Sequence, residues 1–151
     1  MGVNSVQTVG NFTATFTHPL LGGTAISLQG FKQDQQFFDS IQIMDNSKVI
    51  ALVGGSTATL TNAVKAGTFT FNCVRISTDI LQGDVVLIAL TLQSLADSTG
   101  GLLRITYGLN GGTEAITYTQ CTLKTVPPLK LAGNDLPDYP VVFNYGNYFL
   151  G

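Results

Sequence analysis

The sequence predicts a mainly β fold, an antiparallel β-sandwich or barrel carrying one packed α-helix at about 79–98. Three observations predict it. Runs that alternate apolar and hydroxyl residues recur along the chain, as in Thr68-Phe69-Thr70-Phe71-Asn72-Cys73, the period of a strand with one oily face. Glycine pairs at 22–23, 54–55, 100–101 and 111–112 fall between those runs, where turns belong. Residues 79–98 alone read better with a helical period. A length of 151 residues suits one domain with a real core, 1–151, with a polar N-terminal arm over about 1–11.

Each element follows in chain order. "NFTATFTH" puts Phe12, Ala14 and Phe16 on one face and Thr13, Thr15 and Thr17 on the other. "AISLQGF" is a short strand, and "FFDSIQIMD" sets Ile41 and Ile43 on one side. "KVIALVG" is a continuous apolar run and predicts a buried strand. "STATLTNAV" alternates Thr57, Thr59 and Thr61 against Ala58 and Leu60. A tight connection at Lys65-Ala66-Gly67 leads into "GTFTFNCVRIS", predicting a long hairpin over 56–76. In 79–98, Val85, Ile88, Ala89, Leu92, Leu95 and Ala96 form one helical stripe. Ser77, Thr78 and Asp79 can supply its N-cap and Gly100-Gly101 its stop, although β-branched Val85, Val86 and Ile88 weaken the propensity. "LLRITYGL" and "AITYTQCTLKTV" form a second hairpin across "NGGTE", and "YPVVFNYGNYFL" is the closing strand.

Charge is scarce. Only 11 % of the residues are charged, against 44 % hydrophobic, and the net charge is −2; a typical soluble domain carries roughly 25 % charged residues. Depleted charge marks the cores of interfaces, so much of this surface is expected to lie against other copies of the chain. The alternative is a small domain solubilised by Thr, Ser, Asn and Gln. The strands over 56–76 carry only Lys65 and Arg75 as charged gatekeepers, so their edges are either covered or meant to pair with other subunits.

The N-terminus has no basic and apolar regions of a signal peptide, and Val6 stands where a myristoylation motif needs Ser or Thr. The longest apolar run, 85–96, is too short to span a bilayer, and no membrane association is expected. Asn11-Phe12-Thr13 matches a glycosylation sequon, read as a chance match in a chain without secretion signals. Cys73 and Cys121 lie far apart in strand-like stretches. Two buried reduced thiols are favoured over a disulfide, and without a CxxC motif no zinc site is expected.

No catalytic constellation emerges. His18 is the only histidine, precedes Pro19 at a strand end, and reads as a strand-end residue, since catalysis would need a second group that the sequence does not place beside it. Asp135 and Asp138 flank Leu136-Pro137 in a loop that reads as a solvated turn, since calcium wants six or more oxygen ligands. The chain lacks a phosphate-binding Gly-Lys-Ser/Thr loop and a Gly-x-Ser-x-Gly elbow. Its seven cations (Lys32, Lys48, Lys65, Arg75, Arg104, Lys124 and Lys130) are spread along the chain, with no basic stripe for nucleic acid. The expectation is a structural protein with no catalytic residues, cofactor or metal.

Three stretches in order carry a resemblance: "ISLQGFKQDQQFFDSIQIMD" at 26–45, "VGGSTATLTNAVKAGTFTFNC" at 53–73 running into the helix, and "CTLKTVPPLKLAGNDLPDYPVVFNYGN" at 121–147. Their order of elements and turns resembles the tail-tube proteins of contractile-tailed bacteriophages and, more distantly, the tubes of bacteriocins and type VI secretion systems. Where many relatives carry charge in the first two stretches, this chain has Gln, Asn and Thr. The resemblance implies a virion structural protein. Its homo-hexameric rings stack into a tail tube, with sheath and baseplate proteins as partners and DNA passing non-specifically through the lumen. It would be made in the host bacterial cytoplasm and reside in the virion tail.

On that reading Thr57, Thr59, Thr61, Thr68, Thr70 and Asn72 are the candidates to line the lumen, and Phe69 and Phe71 pack inward against the helix. Val3 in the N-terminal arm, Phe12, Phe37 and Phe38, and Tyr145, Tyr148 and Phe149 near the C-terminus are candidate subunit contacts, with packing inside the subunit as the alternative for each. Other readings are a head-decoration or tail-terminator protein, then a carbohydrate-binding β-sandwich. The last is disfavoured by the lack of Trp and by only five Tyr.

Overall fold

The computed structural model describes residues 12–31, 38–42, 47–61, 65–96, 99–109, 112–130 and 137–151. Its strands are β1 Phe12–Thr17, β2 Ile26–Ser27, β3 Phe38–Gln42, β4 Ser47–Ala51, β5 Thr57–Thr61, β6 Gly67–Cys73, β7 Gly101–Leu109, β8 Gly112–Thr125, β9 Tyr139–Tyr145 and β10 Asn147–Leu150, with one α-helix, α1, at Val85–Ser94. All strand pairings between these elements are antiparallel. The main sheet runs β2-β1-β7-β8-β9-β6-β3, with β10 also on β8.

The long strand β8 turns the sheet into two layers. Its first half pairs with β7 and β10, and its second half with β9. The bend falls at Gln120, whose φ of 55° is left-handed, beside a register shift against β7. Such a bulge bends and twists a strand. On the other side, residues 28–31 tie the layers together: Leu28 N–H donates to Ala14 O, Gln29 N–H to Gly83 O, and Val74 N–H to Gly30 O.

The core lies between the layers. Phe16, Phe69, Phe71, Leu103, Tyr118, Cys121, Val141, Phe143 and Tyr145 are buried together with Val85, Val86, Ile88, Ala89 and Leu92 of α1. Each such large apolar side chain contributes about 1.5–3 kcal/mol on burial. Phe69 sits centrally, its ring stacked on Phe143 at 5.4 Å and within 5.6 Å of Phe38, Phe71 and Tyr118. The alternation in β1 and β6 holds, with the Ala and Phe residues in and the Thr residues out. Both cysteines are free and buried.

Three expectations are corrected. First, the 56–76 hairpin does not form. β5 pairs with β4, and β6 is a central strand between β3 and β9. The turn between β4 and β5 lies at Gly54-Gly55, where Leu52 N–H donates to Ser56 O across the tip at 2.8 Å. Second, "KVIALVG" is not a buried strand. β4–β5 is a two-stranded sheet outside the main one, and Val49, Leu52 and Val53 are exposed. A continuous apolar run signals burial only when a second layer covers both faces.

Third, the helix is shorter than 79–98. A 3-10 turn at Ile80–Gln82, capped by Asp79, precedes it, and Gly83 in the left-handed region (φ 81°) separates the two. Asp84 is the N-cap of α1, not residues 77–79, and the helix stops at Leu95-Ala96 before reaching Gly100. Leu95 and Ala96 are therefore exposed, and the buried stripe ends at Leu92. Gly83 is required where it stands: its carbonyl takes the Gln29 N–H, and a Cβ there would run into the backbone of Ser27.

Candidate functional site

Two surfaces and one polar junction carry what the fold can do. The first surface is the outer face of β3, β6, β9 and the end of β8. Register sets Asp39, Thr70 and Val142 in one row, Thr68, Asn144 and Thr122 in the next, and Asn72 opposite Pro140. Thr68, Thr70, Asn72, Val142 and Thr122 are half-buried, and Asn144, Pro140 and Asp39 are exposed. Asp39 is the one charge in these rows. On β6 and β9 this face carries no charge and mixes hydroxyls and amides with Val142 and Pro140 over the aromatic core, while the exposed Asp39 on β3 and Lys124 at the β8 bulge flank it.

The second surface is the β4–β5 arm. Val49 is 65 % exposed, Leu52 48 % and Val53 fully exposed. No residue between Lys48 and Lys65 is charged. A two-stranded ribbon without a packed face is marginal alone, and an uncharged apolar tip is what partner contacts cover.

Between β3, β8, β9 and β10 lies a pocket of about 270 Å³ lined by Ser40, Ile116, Tyr118, Tyr145 and Tyr148. The three tyrosine rings lie 4.8–6.0 Å apart. Tyr118 O–H donates to Ser40 Oγ at 3.0 Å, joining β8 to β3, and Lys65 Nζ stands 5.6 Å from the Tyr148 ring. Burial raises the Tyr118 and Tyr145 phenols above their ordinary pKa, so both remain neutral donors near neutral pH.

The polar junction is Asp84, whose side chain is fully buried. One carboxylate oxygen accepts from Ile76 N (2.7 Å), Ser77 N (3.1 Å) and Arg75 Nε (3.2 Å); the other accepts from Leu87 N (3.0 Å). Burial pushes this carboxyl up, but the backbone N–H groups of Ile76, Leu87 and Ser77 and the Arg75 guanidinium outweigh it and hold the pKa below the usual range. Both carboxylate oxygens accept from the chain itself, so this is a clamp between the exit of β6 and the start of α1. His18, also buried, accepts the Leu20 N–H at Nδ1 and caps the 3-10 turn at Pro19–Leu21. Among the described residues no group of three or more His, Cys, Asp or Glu is placed to hold a metal, and no helix is long and apolar enough to cross a membrane.

The residues singled out from sequence separate. Thr68, Thr70 and Asn72 share the outer face of β6, while Thr57, Thr59 and Thr61 lie on β5 in the separate two-stranded sheet. Tyr145 is corrected as a surface contact: it is buried in the core. Phe12 packs half-buried against Phe31 at 5.3 Å, and Phe38 half-buried against Phe71 at 5.2 Å. Tyr148 is half-buried at the pocket, and Phe149 is 51 % exposed on β10. Val3, Phe37 and Asp135 lie outside the described residues. Sequence reasoning missed the exposed Val49, Leu52 and Val53, whose signal was the charge-free stretch around Gly54-Gly55, and Asp84, whose network depends on tertiary contacts.

No family model and no curated protein matches the chain. Solved structures do. A chain in the cryo-EM structure of the anti-feeding prophage baseplate, six-fold symmetrised, is similar over 99 % of this chain and 97 % of its own, with a TM-score of 0.65 at 10 % identity. A chain in the sheath-tube complex of an extracellular contractile injection system (PVC), in its extended state, is similar over 99 % of this chain and 93 % of its own, with a TM-score of 0.64 at 8 % identity. A chain in the tube-terminating cap of the anti-feeding prophage is similar over 100 % and 94 %, with a TM-score of 0.60 at 10 % identity. At these identities the likeness establishes the fold: a β-rich fold found in contractile injection particles.

Proposed function

We propose that this chain is the structural subunit of the tube of a contractile tail, closing as homo-hexamers into rings that stack head to tail. The observation that carries the reading is the end-to-end likeness to chains of contractile injection particles, in which neither chain has a large unmatched part. The scarcity of charge and the uncovered apolar arm support it, because both find a purpose when copies cover one another. In this reading the neutral face of β6 and β9 lines the lumen, and the arm reaches a neighbouring ring. Sheath and baseplate proteins are the outer partners. DNA passes through without specific contacts, since a lining of hydroxyls and amides gives phosphates no cations to bind. The chain acts as a building part of the virion tail, made in the bacterial cytoplasm, and performs no catalysis.

The likeness to a chain in a tube-terminating cap favours one second reading, a terminator that forms a closed ring. Negative-stain microscopy of purified protein over a concentration series, with light scattering on the same samples, separates the two. The expected result is hollow rings with six-fold end views that lengthen into tubes. Closed rings that never lengthen favour the terminator. A stable dimer or trimer overturns both.

A further inference from the structure

We propose that Gln120 is a latch: its side chain lies across Gly146 and holds the last strand, β10, against β8. Gln120 is thereby a positioning residue for Tyr148 and Phe149, the aromatic side chains that β10 carries. The device is built into the single chain and does not depend on the tube reading.

Two residues at this corner stand where the other type is expected. Gln120 has a left-handed φ of 55°, a conformation that suits glycine and strains a residue with a Cβ. Gly146 is the reverse case. Its φ is not left-handed, so the backbone itself would accept a side chain. A Cβ there would strike the Gln120 side chain, at its Cβ and Cδ (both 3.1 Å) and at its Oε1. The two exceptions therefore touch each other. Gln120 is also the extra residue of the β8 bulge, since Leu102 pairs with Thr119 and Gly101 with Cys121. Gly146 N–H donates to Thr119 O beside it at 3.0 Å. Gly146 is the break between β9, which follows the second half of β8, and β10, which follows the first. A glycine at such a break is a loose hinge. Beyond it β10 has a small share in the core: Tyr148 is half-buried, and Asn147, Phe149 and Leu150 are exposed. The ladder ties it to β8, with the Thr117 and Thr119 hydroxyls donating to Gly151 O and Asn147 O. The Gln120 side chain fills the space beside the hinge and restricts it. Because Gln120 is exposed, core packing does not account for a strained side chain here, and contact with Gly146 does.

The test is a double-mutant cycle on the full chain, at concentrations where it is monomeric. Gly146→Ala should lower the melting temperature by about 5 °C, the scale of an overpacked contact in a domain of this size. In the Gln120→Gly background the same substitution should cost less than about 1 °C, because the obstructing side chain is gone and the left-handed backbone suits glycine. Equal costs in the two backgrounds overturn the latch. Hydrogen exchange gives a second measurement that does not need Gly146→Ala to fold. Gln120→Ala should speed exchange of the Gly146 and Gly151 amides, which donate to Thr119 O and Ala115 O of β8, roughly tenfold. The Ile88 amide, bonded to Asp84 O at the start of α1, should keep the parental rate. Gln120→Met, which keeps the reach of the side chain, should restore the parental rate throughout. Unchanged exchange in Gln120→Ala, equal acceleration at Ile88, or Gln120→Met behaving like Gln120→Ala each overturns the latch. All of these leave the tube reading standing.

Discussion

At the scale of single residues, Asp84 shows how a charge in a low-charge chain is used. It serves four donors at once: the backbone of Ile76 and Ser77 at the exit of β6, the Leu87 N–H at the start of α1, and Arg75. Helix N-caps are commonly worth about 1 kcal/mol, but here the cap also gathers a loop. Replacing Asp84 by Ala leaves three part-buried N–H groups and the Arg75 guanidinium without their acceptor and should cost about 2 kcal/mol at pH 7, read from urea unfolding. The pH dependence has a definite sign. The folded carboxyl titrates below its unfolded value near 3.9, so its contribution is fully present above about pH 5 and is lost as pH falls through the folded pKa. The difference between parent and Asp84→Ala should therefore narrow below about pH 4. A difference constant from pH 7 to pH 2 would mean that the charge contributes nothing.

At the scale of elements, what was legible in the sequence is what local periodicity encodes. The Thr/Phe alternation of β6 and the Phe/Ala face of β1 needed no tertiary knowledge, and the β7–β8 hairpin was fixed by its short Gly-containing loop. The helix was legible in kind but not in length, because Gly83 and the buried Asp84 restart the chain after a 3-10 turn that shares its composition. Pairing between distant strands was not legible. Lys65-Ala66-Gly67 looks like a hairpin turn, yet β6 finds better cover between β3 and β9, where Phe69 and Phe71 meet Phe143 and Phe38. The arm follows from the same limit: an apolar run looks alike whether its own chain or another covers it. A pair of valines tests this. Val141 on β9 has no exposed surface and Val49 on β4 has 65 %. Val141→Ala should destabilise the isolated chain by about 2 kcal/mol, and Val49→Ala by less than about 0.5 kcal/mol. Equal costs in thermal unfolding of the monomer would place the arm on the core.

At the scale of the whole molecule, the proposed tube depends on a division of labour between the faces of one sandwich. The inner faces hold the aromatic core, the β4–β5 arm exposes Val49, Leu52 and Val53, and the outer face of β6 and β9 is left neutral. That neutrality can be tested by adding charge. Thr68 is a half-buried hydroxyl on β6, paired with Asn144 on β9 and clear of the arm and pocket. Thr68→Lys keeps the strand and adds one cation per copy, hence a ring of six in a hexamer. Surface substitutions of this kind change stability by about 0.5 kcal/mol or less, so folding and assembly should persist. Each phosphate neutralised adds to the salt dependence of nucleic-acid binding, so the lysine ring should retain DNA at low salt and release it at high salt. DNA ejection from particles built with the variant should slow at low ionic strength and recover as salt is raised. Variant particles that eject as fast as the parent at every salt concentration would remove this face from the lumen. The lining would then have to be sought on the outer face of β1 and β7, where Arg104 already stands opposite Thr15.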